Sequence, residues 1–353
     1  MTVPRLDLVR ATIRRMQGYV PGEQPQDKRY IKLNSNENPY PPSPHVTAAL
    51  QHAINADLRL YPDPVADRLR EKAAEVYGVT RGQVLVGNGS DDLLTMLVRT
   101  FVGPGDRVAY PVPTYSLYDT LVAMQDGEAV RVPFPADFSL PPRLAEADAK
   151  LIFLCHPNAP SGTLPPLSHV EALAQRTRGI LVIDEAYVDF AEETALPLLH
   201  KYPHVILLRS FSKSFSLAGM RVGLAFGHPA LIHELLKVKD SYNVNRLSMT
   251  AALAALEDYE WMRRNVDRIR ATRSRLTRAL RELGYFVYDS QANFVLARRQ
   301  GVSQEPIYQG LKDRGILIRY FSSPPDLFDC IRITVGTDEE IDRLLDTLTH
   351  FRA

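Results

Sequence analysis

Short apolar runs alternate with helix-like stretches between about residues 70 and 235. The predicted strands are "QVLVGN", "DRVAYP", "AVRVPF", "LIFLCHP", "GILVIDEAY", "VILLRS" and "RVGLAFG", and the first predicted helix is "DDLLTMLVRTF". Strands separated by helices are typical of a mainly parallel sheet that helices cover on both faces. Ligands of such sheets bind beyond the carboxyl ends of the strands, so polar residues at those ends are candidates for a site.

The pattern changes after residue 258. "DYEWMRRNVDRIRATRSRLTRALRELG" predicts a long amphipathic helix, and shorter strand and helix patterns follow up to the final helix "TDEEIDRLLDTLTHF". We therefore predict an α/β protein with a large domain at residues 36–257, built on a seven-stranded sheet, and a small α+β domain at residues 258–353. Residues 1–35 lack a core of their own, and we expect this arm to pack on the small domain or on a partner subunit.

Composition and charge narrow the classes of function. Lys and Arg number 42 against 41 Asp and Glu, so the chain offers no basic field for nucleic acid or for an anionic membrane. No segment approaches the roughly 20 apolar residues of a membrane span, and "MTVPRLDLVRATIRR" lacks the apolar core of a signal peptide, so we expect a cytoplasmic protein. Cys155 and Cys330 lie in apolar runs, and the nine histidines show no metal-ligand spacing, so we expect neither a disulfide framework nor a metal site.

A single lysine in "SFSKSFSLAGMRVG" raises the main chemical question. Lys213 follows the apolar run "VILLRS" and has no acidic residue beside it in the sequence. An unpaired ammonium group in apolar surroundings loses its proton easily, and the neutral amine is the nucleophilic form. The alternative is a loop lysine that reaches solvent.

Other strand ends carry polar groups that a cofactor could use. Asp184 follows the apolar part of "GILVIDEAY", and a buried acid at this place needs a hydrogen-bonding or cationic partner or a metal. Asn158 lies in the turn "CHPNAPSG", where its role could be merely structural. "GNGSDDLL" directs backbone N–H groups at an anion, and Arg221 could offset its two acids. Together with Tyr115 and Lys213 these groups match the requirements of pyridoxal 5'-phosphate, whereas no GxGxxG turn follows the first strand and no P-loop is present.

Two arginines in the small domain are candidates for substrate binding. The alternation in "CIRITV" places Arg332 and Thr334 on the face opposite Ile331 and Ile333, so Arg332 can either bind a ligand or pair with a local acid. Arg319 in "ILIRYF" is in a similar position. A guanidinium group suits a phosphate or a carboxylate.

Several segments resemble a known family. "HPNAPSG", "IDEAYVDF" and "SFSKSFSLAGMRVG" resemble the signatures of fold-type I, class II pyridoxal-phosphate-dependent aminotransferases. "LNSNENPYPPSP", "RLYPDP", "GNGSDDLL" and "IRITVGT" make the chain similar to the histidinol-phosphate aminotransferase family in particular. The resemblance implies a homodimer with shared active sites that transfers an amino group from L-histidinol phosphate to 2-oxoglutarate in histidine biosynthesis, giving imidazole acetol phosphate and L-glutamate. His156, Ala159 and Ser161 depart from the usual NPNNPTG motif, and Asp92 stands where glutamate is frequent.

The resemblance also implies a role for each candidate residue. Lys213 forms a Schiff base with the cofactor and moves a proton, Asp184 keeps the ring nitrogen protonated, and Asn158 and Tyr187 hydrogen-bond the ring oxygen. The other expected cofactor ligands are Gly89, Ser90, Asp91, Tyr115, Ser210, Ser212, Arg221 and, from the partner subunit, the residue equivalent to Tyr61. The expected substrate ligands are Tyr19, Asn36, Arg319 and Arg332.

Three other functions remain open at this stage. An aromatic amino-acid aminotransferase would use the same scaffold without requiring a substrate phosphate. A phosphothreonine-type decarboxylase would use the same cofactor and release carbon dioxide. A sensor that binds the cofactor without turnover usually carries a DNA-binding domain, and neither spare residues nor a basic face supports one here.

Overall fold

Twelve β-strands form two sheets in the part of the chain that the computed structural model describes, residues 5–16, 18–19 and 22–351. The strands are β1 (Ile31–Leu33), β2 (Val84–Gly87), β3 (Arg107–Val112), β4 (Glu128–Pro133), β5 (Leu151–Cys155), β6 (Ile180–Asp184), β7 (Val205–Ser210), β8 (Gly223–Phe226), β9 (Phe286–Val287), β10 (Phe294–Arg298), β11 (Ile316–Phe321) and β12 (Cys330–Thr334). The helices are α1 (Ala11–Arg15), α2 (Pro44–Ala53), α3 (Asp67–Tyr77), α4 (Ser90–Phe101), α5 (Leu117–Met124), α6 (Leu167–Arg176), α7 (Pro229–Val238), α8 (Arg246–Glu257), α9 (Tyr259–Glu282), α10 (Gln304–Asp313) and α11 (Asp338–Thr349). None of these described helices is both long and apolar enough to cross a membrane.

The larger sheet has seven strands in the order β2-β8-β7-β6-β5-β3-β4. Neighbouring strands from β7 to β4 pair in parallel, whereas β8 runs antiparallel to both β7 and β2. The mainly parallel seven-stranded sheet predicted from the sequence is therefore confirmed. All residues of β5 and of β7 are buried, as expected for strands that are covered on both faces.

Two layers of helices cover this sheet, one on each face. Successive residues of a strand point to opposite faces, so they pack on different layers. Leu181 and Ile183 of β6 pack with residues of α3, α6 and α8, whereas Val182 between them packs with residues of α4, α5 and α7. The polar candidate residues of the sequence lie at or just after the carboxyl ends of the parallel strands, where sheets of this kind bind ligands.

The smaller sheet has five strands in the order β1-β11-β12-β10-β9. Strand β1, from the N-terminal arm, pairs in parallel with β11, and Ile31 lies opposite Ile316. Helix α8 ends at Glu257 and α9 begins at Tyr259. The boundaries predicted from the sequence, 36–257 and 258–353, remain a prediction.

Candidate active site

The site is built on the ends of four parallel strands of the larger sheet. Asp184 ends β6, Ser210 ends β7, and the turns after β5 and β3 carry Asn158 and Tyr115. Because β3, β5, β6 and β7 run in the same direction, these residues reach the same edge of the sheet.

Lys213 lies in the loop after β7, and its amine has no carboxylate partner among the described residues. The Asn38 side-chain amide donates to the carbonyl oxygens of Lys213 and Ser214, at 3.0 Å each, and so fixes the loop. The Lys213 ammonium group lies 5.5 Å from the centroid of the Tyr187 ring. Burial, followed by the positive charge of Arg332, lowers the pKa of Lys213 to about 8. A larger fraction of this amine is therefore neutral near physiological pH than for an ordinary lysine.

Asp184 is a buried carboxylate held by two hydrogen bonds. The Tyr118 hydroxyl donates to Asp184 Oδ2 at 2.9 Å, and the backbone N–H of Ala186 donates to Oδ1 at 3.2 Å. Burial raises the pKa of Asp184 to about 6, although both hydrogen bonds act in the opposite direction. Sequence reasoning missed Tyr118, although its position three residues after Tyr115, on helix α5, is one turn away.

The turn between β2 and α4 forms a cradle in which the Arg221 guanidinium and the start of helix α4 lie close together. Gly89 has φ +83°, and a Cβ there would lie 2.5 Å from Arg221 Nη2. A Cβ at Gly223 would lie 2.7 Å from the backbone nitrogen of Ser90, so both glycines permit close approach. The N-terminal N–H groups of α4 and the Arg221 guanidinium therefore converge on one place.

Charged and hydroxyl groups link Arg221 of this cradle to Tyr115. Arg221 pairs with Asp91 at 3.2 Å and lies 3.5 Å from the Ser212 hydroxyl. The Tyr115 hydroxyl donates to the other oxygen of Asp91 at 3.0 Å. The Ser210 hydroxyl accepts the backbone N–H of Ser212 at 3.2 Å. Asp91 therefore orients Arg221 and Tyr115.

The side-chain amides of Asn36 and Asn158 form hydrogen bonds with other residues of the site. Asn36 Nδ2 donates to the Tyr187 hydroxyl at 3.0 Å, and burial raises the pKa of Tyr187 to about 12. Asn158 is fully buried, and its Oδ1 accepts the Thr114 hydroxyl at 2.8 Å. Asn158 Nδ2 donates to the Pro113 carbonyl at 3.2 Å and to the Ser161 hydroxyl at 2.9 Å. The atypical Ser161 thus supplies a hydroxyl that fixes this amide.

Arg332 and Arg319 lie directly opposite each other on the antiparallel strands β12 and β11. Arg332 Nη2 donates to the Asn34 carbonyl at 3.2 Å, and its buried Nε has no hydrogen-bond partner in the described structure. No salt bridge to a carboxylate forms at either arginine among the described residues, so the alternative of a local acid for Arg332 is wrong. Like charges in this register repel, and an anion between them would remove that cost.

Two of the predicted residues lie at the periphery. The Tyr19 ring packs edge-on against Tyr115, with 5.9 Å between centroids. Tyr61 is 77 % exposed and stacks on Tyr242 at 4.5 Å, and it shares no hydrogen bond or ring contact with the site residues described above. Sequence reasoning missed Asn38 and Gly223 as well as Tyr118. The segments "LNSNENPYPPSP" and "SFSKSFSLAGMRVG" contain these two residues, but only their spatial contacts reveal what they do.

Comparison with known proteins supports the resemblance to aminotransferases independently of the site geometry. The family model "Aminotransferase class I and II" matches residues 28–348. The histidinol-phosphate aminotransferase of Microcystis aeruginosa is 44% identical and covers 98% of this chain and 98% of its own length. Histidinol-phosphate aminotransferase 1 of Trichormus variabilis is 46% identical over 94% of this chain and 95% of its own.

Solved structures agree with the sequence relatives. The crystal structure of histidinol-phosphate aminotransferase from Sinorhizobium meliloti in complex with pyridoxal-5'-phosphate aligns with a TM-score of 0.84 and 29% identity. It covers 92% of this chain and 91% of its own chain. The resemblance read from the sequence is thereby confirmed: the chain belongs to the class I and II aminotransferase family and, within it, to the histidinol-phosphate aminotransferases.

Proposed function

We propose that this chain acts in the cytoplasm as a homodimer and transfers the amino group of L-histidinol phosphate to 2-oxoglutarate, giving imidazole acetol phosphate and L-glutamate. Relatives of this name, at 44% and 46% identity over nearly the whole chain, support the reaction. The observation that carries the substrate class is the opposed pair Arg319 and Arg332, which have no carboxylate partner among the described residues. Two opposed guanidinium groups suit an anionic substrate that carries a phosphate or two carboxylates.

The residues present fit pyridoxal 5'-phosphate. Lys213 offers a half-buried amine with no acidic partner in the described residues, and Asp184 offers a buried carboxylate with no cation partner there. At the turn before α4 the Arg221 guanidinium lies so close to Gly89 that a Cβ there would collide with it, and this pairing of a guanidinium group with the N-terminal N–H groups of α4 suits a phosphate. The bound cofactor would supply an aldehyde that reacts with amines and a cationic ring that accepts electron density from the reacting carbon.

Lys213 and Asp184 carry the proton chemistry in this proposal. With a pKa lowered to about 8, the Lys213 amine can accept the proton from the substrate Cα and return it. Asp184, ionised above its pKa of about 6, holds a proton on the ring nitrogen through its negative charge. Tyr187, oriented by Asn36, would donate a hydrogen bond to the ring oxygen, and the side-chain amide of Asn158, which Ser161 holds in place, would be its second partner.

The remaining cofactor contacts divide between the phosphate and the ring. The phosphate would be held by the Ser90 N–H, the Ser210 and Ser212 hydroxyls and the Arg221 guanidinium. Tyr115 would stack on the ring face. Asp91 keeps Arg221 and Tyr115 in position, and Gly89 permits the close approach of Arg221.

The homodimer rests on an exposed apolar surface that carries Tyr61. Exposed large side chains cluster in the sequence around it, and the stacking partner Tyr242 is also exposed: Ile54, Leu58, Leu60, Tyr61 and Tyr242. Several large exposed apolar side chains close together in the sequence favour a protein interface there. In the proposed dimer Tyr61 reaches the cofactor phosphate of the partner subunit, so each site needs both subunits.

Substrate binding falls to residues from both ends of the chain. In this proposal Arg332 would hold the anionic group next to the reacting carbon, with Arg319 opposite it, and Asn36 and Tyr19 would be the other substrate ligands. The Tyr19 hydroxyl takes part in binding the substrate phosphate.

Two experiments test the proposal. Hydride reduction of the cofactor-loaded protein followed by peptide mass spectrometry is expected to give a pyridoxyl adduct on Lys213, and an adduct on another lysine would overturn the assignment. Side-by-side kinetics with histidinol phosphate and phenylalanine are expected to favour histidinol phosphate in kcat/KM. Equal or better turnover of phenylalanine would instead indicate an aromatic aminotransferase.

A further inference from the structure

The negative charge of Asp184 depends on two hydrogen-bond donors. Asp184 is 3% exposed, and each of its oxygens accepts one hydrogen bond, from the Tyr118 hydroxyl and from the Ala186 N–H. No lysine, arginine or histidine in the described structure forms a salt bridge with it. A buried carboxylate without a cation is costly, so each donor contributes strongly to keeping it ionised.

Packing fixes the position of the Tyr118 ring. Tyr118 is fully buried and stacks on Phe153, with centroids 4.7 Å apart and ring planes at 11°. The rings of Tyr115 and Tyr110 meet it edge-on at 5.7 and 5.8 Å. These contacts leave the phenol little freedom, and its hydroxyl donates to Asp184.

We propose that Tyr118 is a positioning residue: its phenol hydroxyl fixes the orientation of the Asp184 carboxylate and supports its negative charge toward the ring nitrogen of the cofactor. This inference rests on the role proposed for Asp184. It gives the aromatic cluster behind the site a function in addition to filling the core.

The surroundings of Asp184 otherwise oppose its ionisation. The titratable groups that face it from neighbouring elements are Asp91, Cys155, Glu185 and Tyr187, in addition to Tyr118. The acids Asp91 and Glu185 raise the pKa of Asp184 beyond the effect of burial, and the Tyr118 hydrogen bond lowers it. Removing the hydroxyl therefore shifts the balance toward the neutral carboxylic acid.

The chain contains a matched control for Tyr118→Phe. Tyr110 is also buried, belongs to the same aromatic cluster, and donates its hydroxyl to a carboxylate, that of Asp119. Tyr110→Phe thus removes the same chemical group from a hydrogen bond that does not involve Asp184.

The first readout uses the cofactor-free protein. The free energy of unfolding is measured by urea titration from pH 5 to 9 at one protein concentration, and the same curve for Asp184→Asn is subtracted to isolate the Asp184 transition. The curve for Tyr118→Phe is corrected in the same way, by subtracting the curve for Tyr118→Phe/Asp184→Asn. The Asp184 transition of Tyr118→Phe is expected about one pH unit above that of the wild type, as for loss of one hydrogen bond to a charged group. For Tyr110→Phe it is expected to stay in place, and an unmoved transition in Tyr118→Phe would overturn the inference.

The second readout uses the loaded enzyme. Moving the Asp184 transition from about pH 6 to about pH 7 lowers its ionised fraction about fivefold at pH 6 and about twofold at pH 7. In Tyr118→Phe, kcat with histidinol phosphate is therefore expected to fall about fivefold at pH 6 and about twofold at pH 7, with KM unchanged, and the loss is expected to disappear as the pH rises further. An equal loss at every pH would indicate a merely structural role and would overturn the inference. Wild-type protein without this activity would instead overturn the proposed function, whereas the pH transition of the cofactor-free protein would still test Tyr118.

A second variant covers the case in which Tyr118→Phe does not fold. Incorporation of 3-fluorotyrosine at position 118 keeps the ring and makes its hydroxyl a stronger donor. The Asp184 transition is then expected to move to lower pH, and movement in the other direction, or none, would overturn the inference.

Discussion

Replacing Lys213 by methionine is expected to stabilise the cofactor-free protein at neutral pH. Lys213 lies in surroundings that lower its pKa from the ordinary 10.5 to about 8. Below pH 8 the amine is protonated in the folded and in the unfolded chain, and the folded state bears the full cost of the charge. Between pH 8 and 10.5 the unfolded chain binds more protons than the folded protein, so the free energy of unfolding of the wild type rises with pH across this window.

The size of the effect follows from the shift in pKa. A difference of about 2.5 pH units at 1.36 kcal/mol each gives an upper value of about 3.4 kcal/mol. The Lys213 side chain keeps some contact with solvent, which reduces the cost, so we expect about 2 kcal/mol. Methionine has a similar length and no charge, so Lys213→Met removes this cost without creating a large cavity.

Urea unfolding of the cofactor-free proteins at pH 7 and at pH 10.5 measures the effect. The variant is expected to exceed the wild type by about 2 kcal/mol at pH 7, and the difference is expected to narrow strongly at pH 10.5. Lys237→Met is the control, because Lys237 is exposed and paired with Glu234 at 2.6 Å. A difference that stays the same at both pH values would refute the reasoning.

Three further substitutions test other parts of the site. Gly89→Ala places a Cβ 2.5 Å from Arg221 Nη2, so the dissociation constant for pyridoxal 5'-phosphate is expected to rise at least tenfold, whereas Gly105→Ala, with similarly positive φ but nothing within 4 Å, leaves it unchanged. Arg332→Gln removes the guanidinium opposite Arg319, and we expect KM for histidinol phosphate and for glutamate to rise more than tenfold; an unchanged KM for both would exclude Arg332 from substrate binding. Tyr61→Phe is expected to weaken cofactor retention while the dimer persists, as gel filtration checks. When Tyr61→Phe is mixed with Lys213→Met, exchange of subunits is expected to restore about a quarter of the native sites. No recovery of activity would contradict a shared site.

Local sequence pattern was sufficient to predict the framework. The run "LIFLC" is apolar throughout and "VILLRS" is apolar except at its last two positions, and both form buried parallel strands. The glycine turn before α4 and the lysine loop after β7 were predictable for the same reason, since each lies next to a strong strand or helix signal. What the strand pattern does not contain is direction, and so it could not show that β8 runs antiparallel.

Contacts between distant parts of the chain were beyond the sequence pattern. Strand β1 has three residues, too few for a periodic signal, and its pairing with β11 joins opposite ends of the chain. The hydrogen bond from Tyr118 to Asp184 joins residues 66 positions apart. Likewise, Asn158 was predicted as a cofactor ligand, but the hydrogen bonds that Thr114 and Ser161 make with it depend on how two turns fold together.

The pairing of β1 with β11 has a consequence for any shortened version of this chain. The residues immediately after β1 contact three places in turn: the Arg332 guanidinium through the Asn34 carbonyl, the Tyr187 hydroxyl through Asn36, and the lysine loop through Asn38. A deletion up to residue 33 would release the anchored end of this segment and loosen all three contacts at once. The segment after β1 thus holds the reactive centre in place, and a shortened chain is expected to lose turnover before it loses its fold.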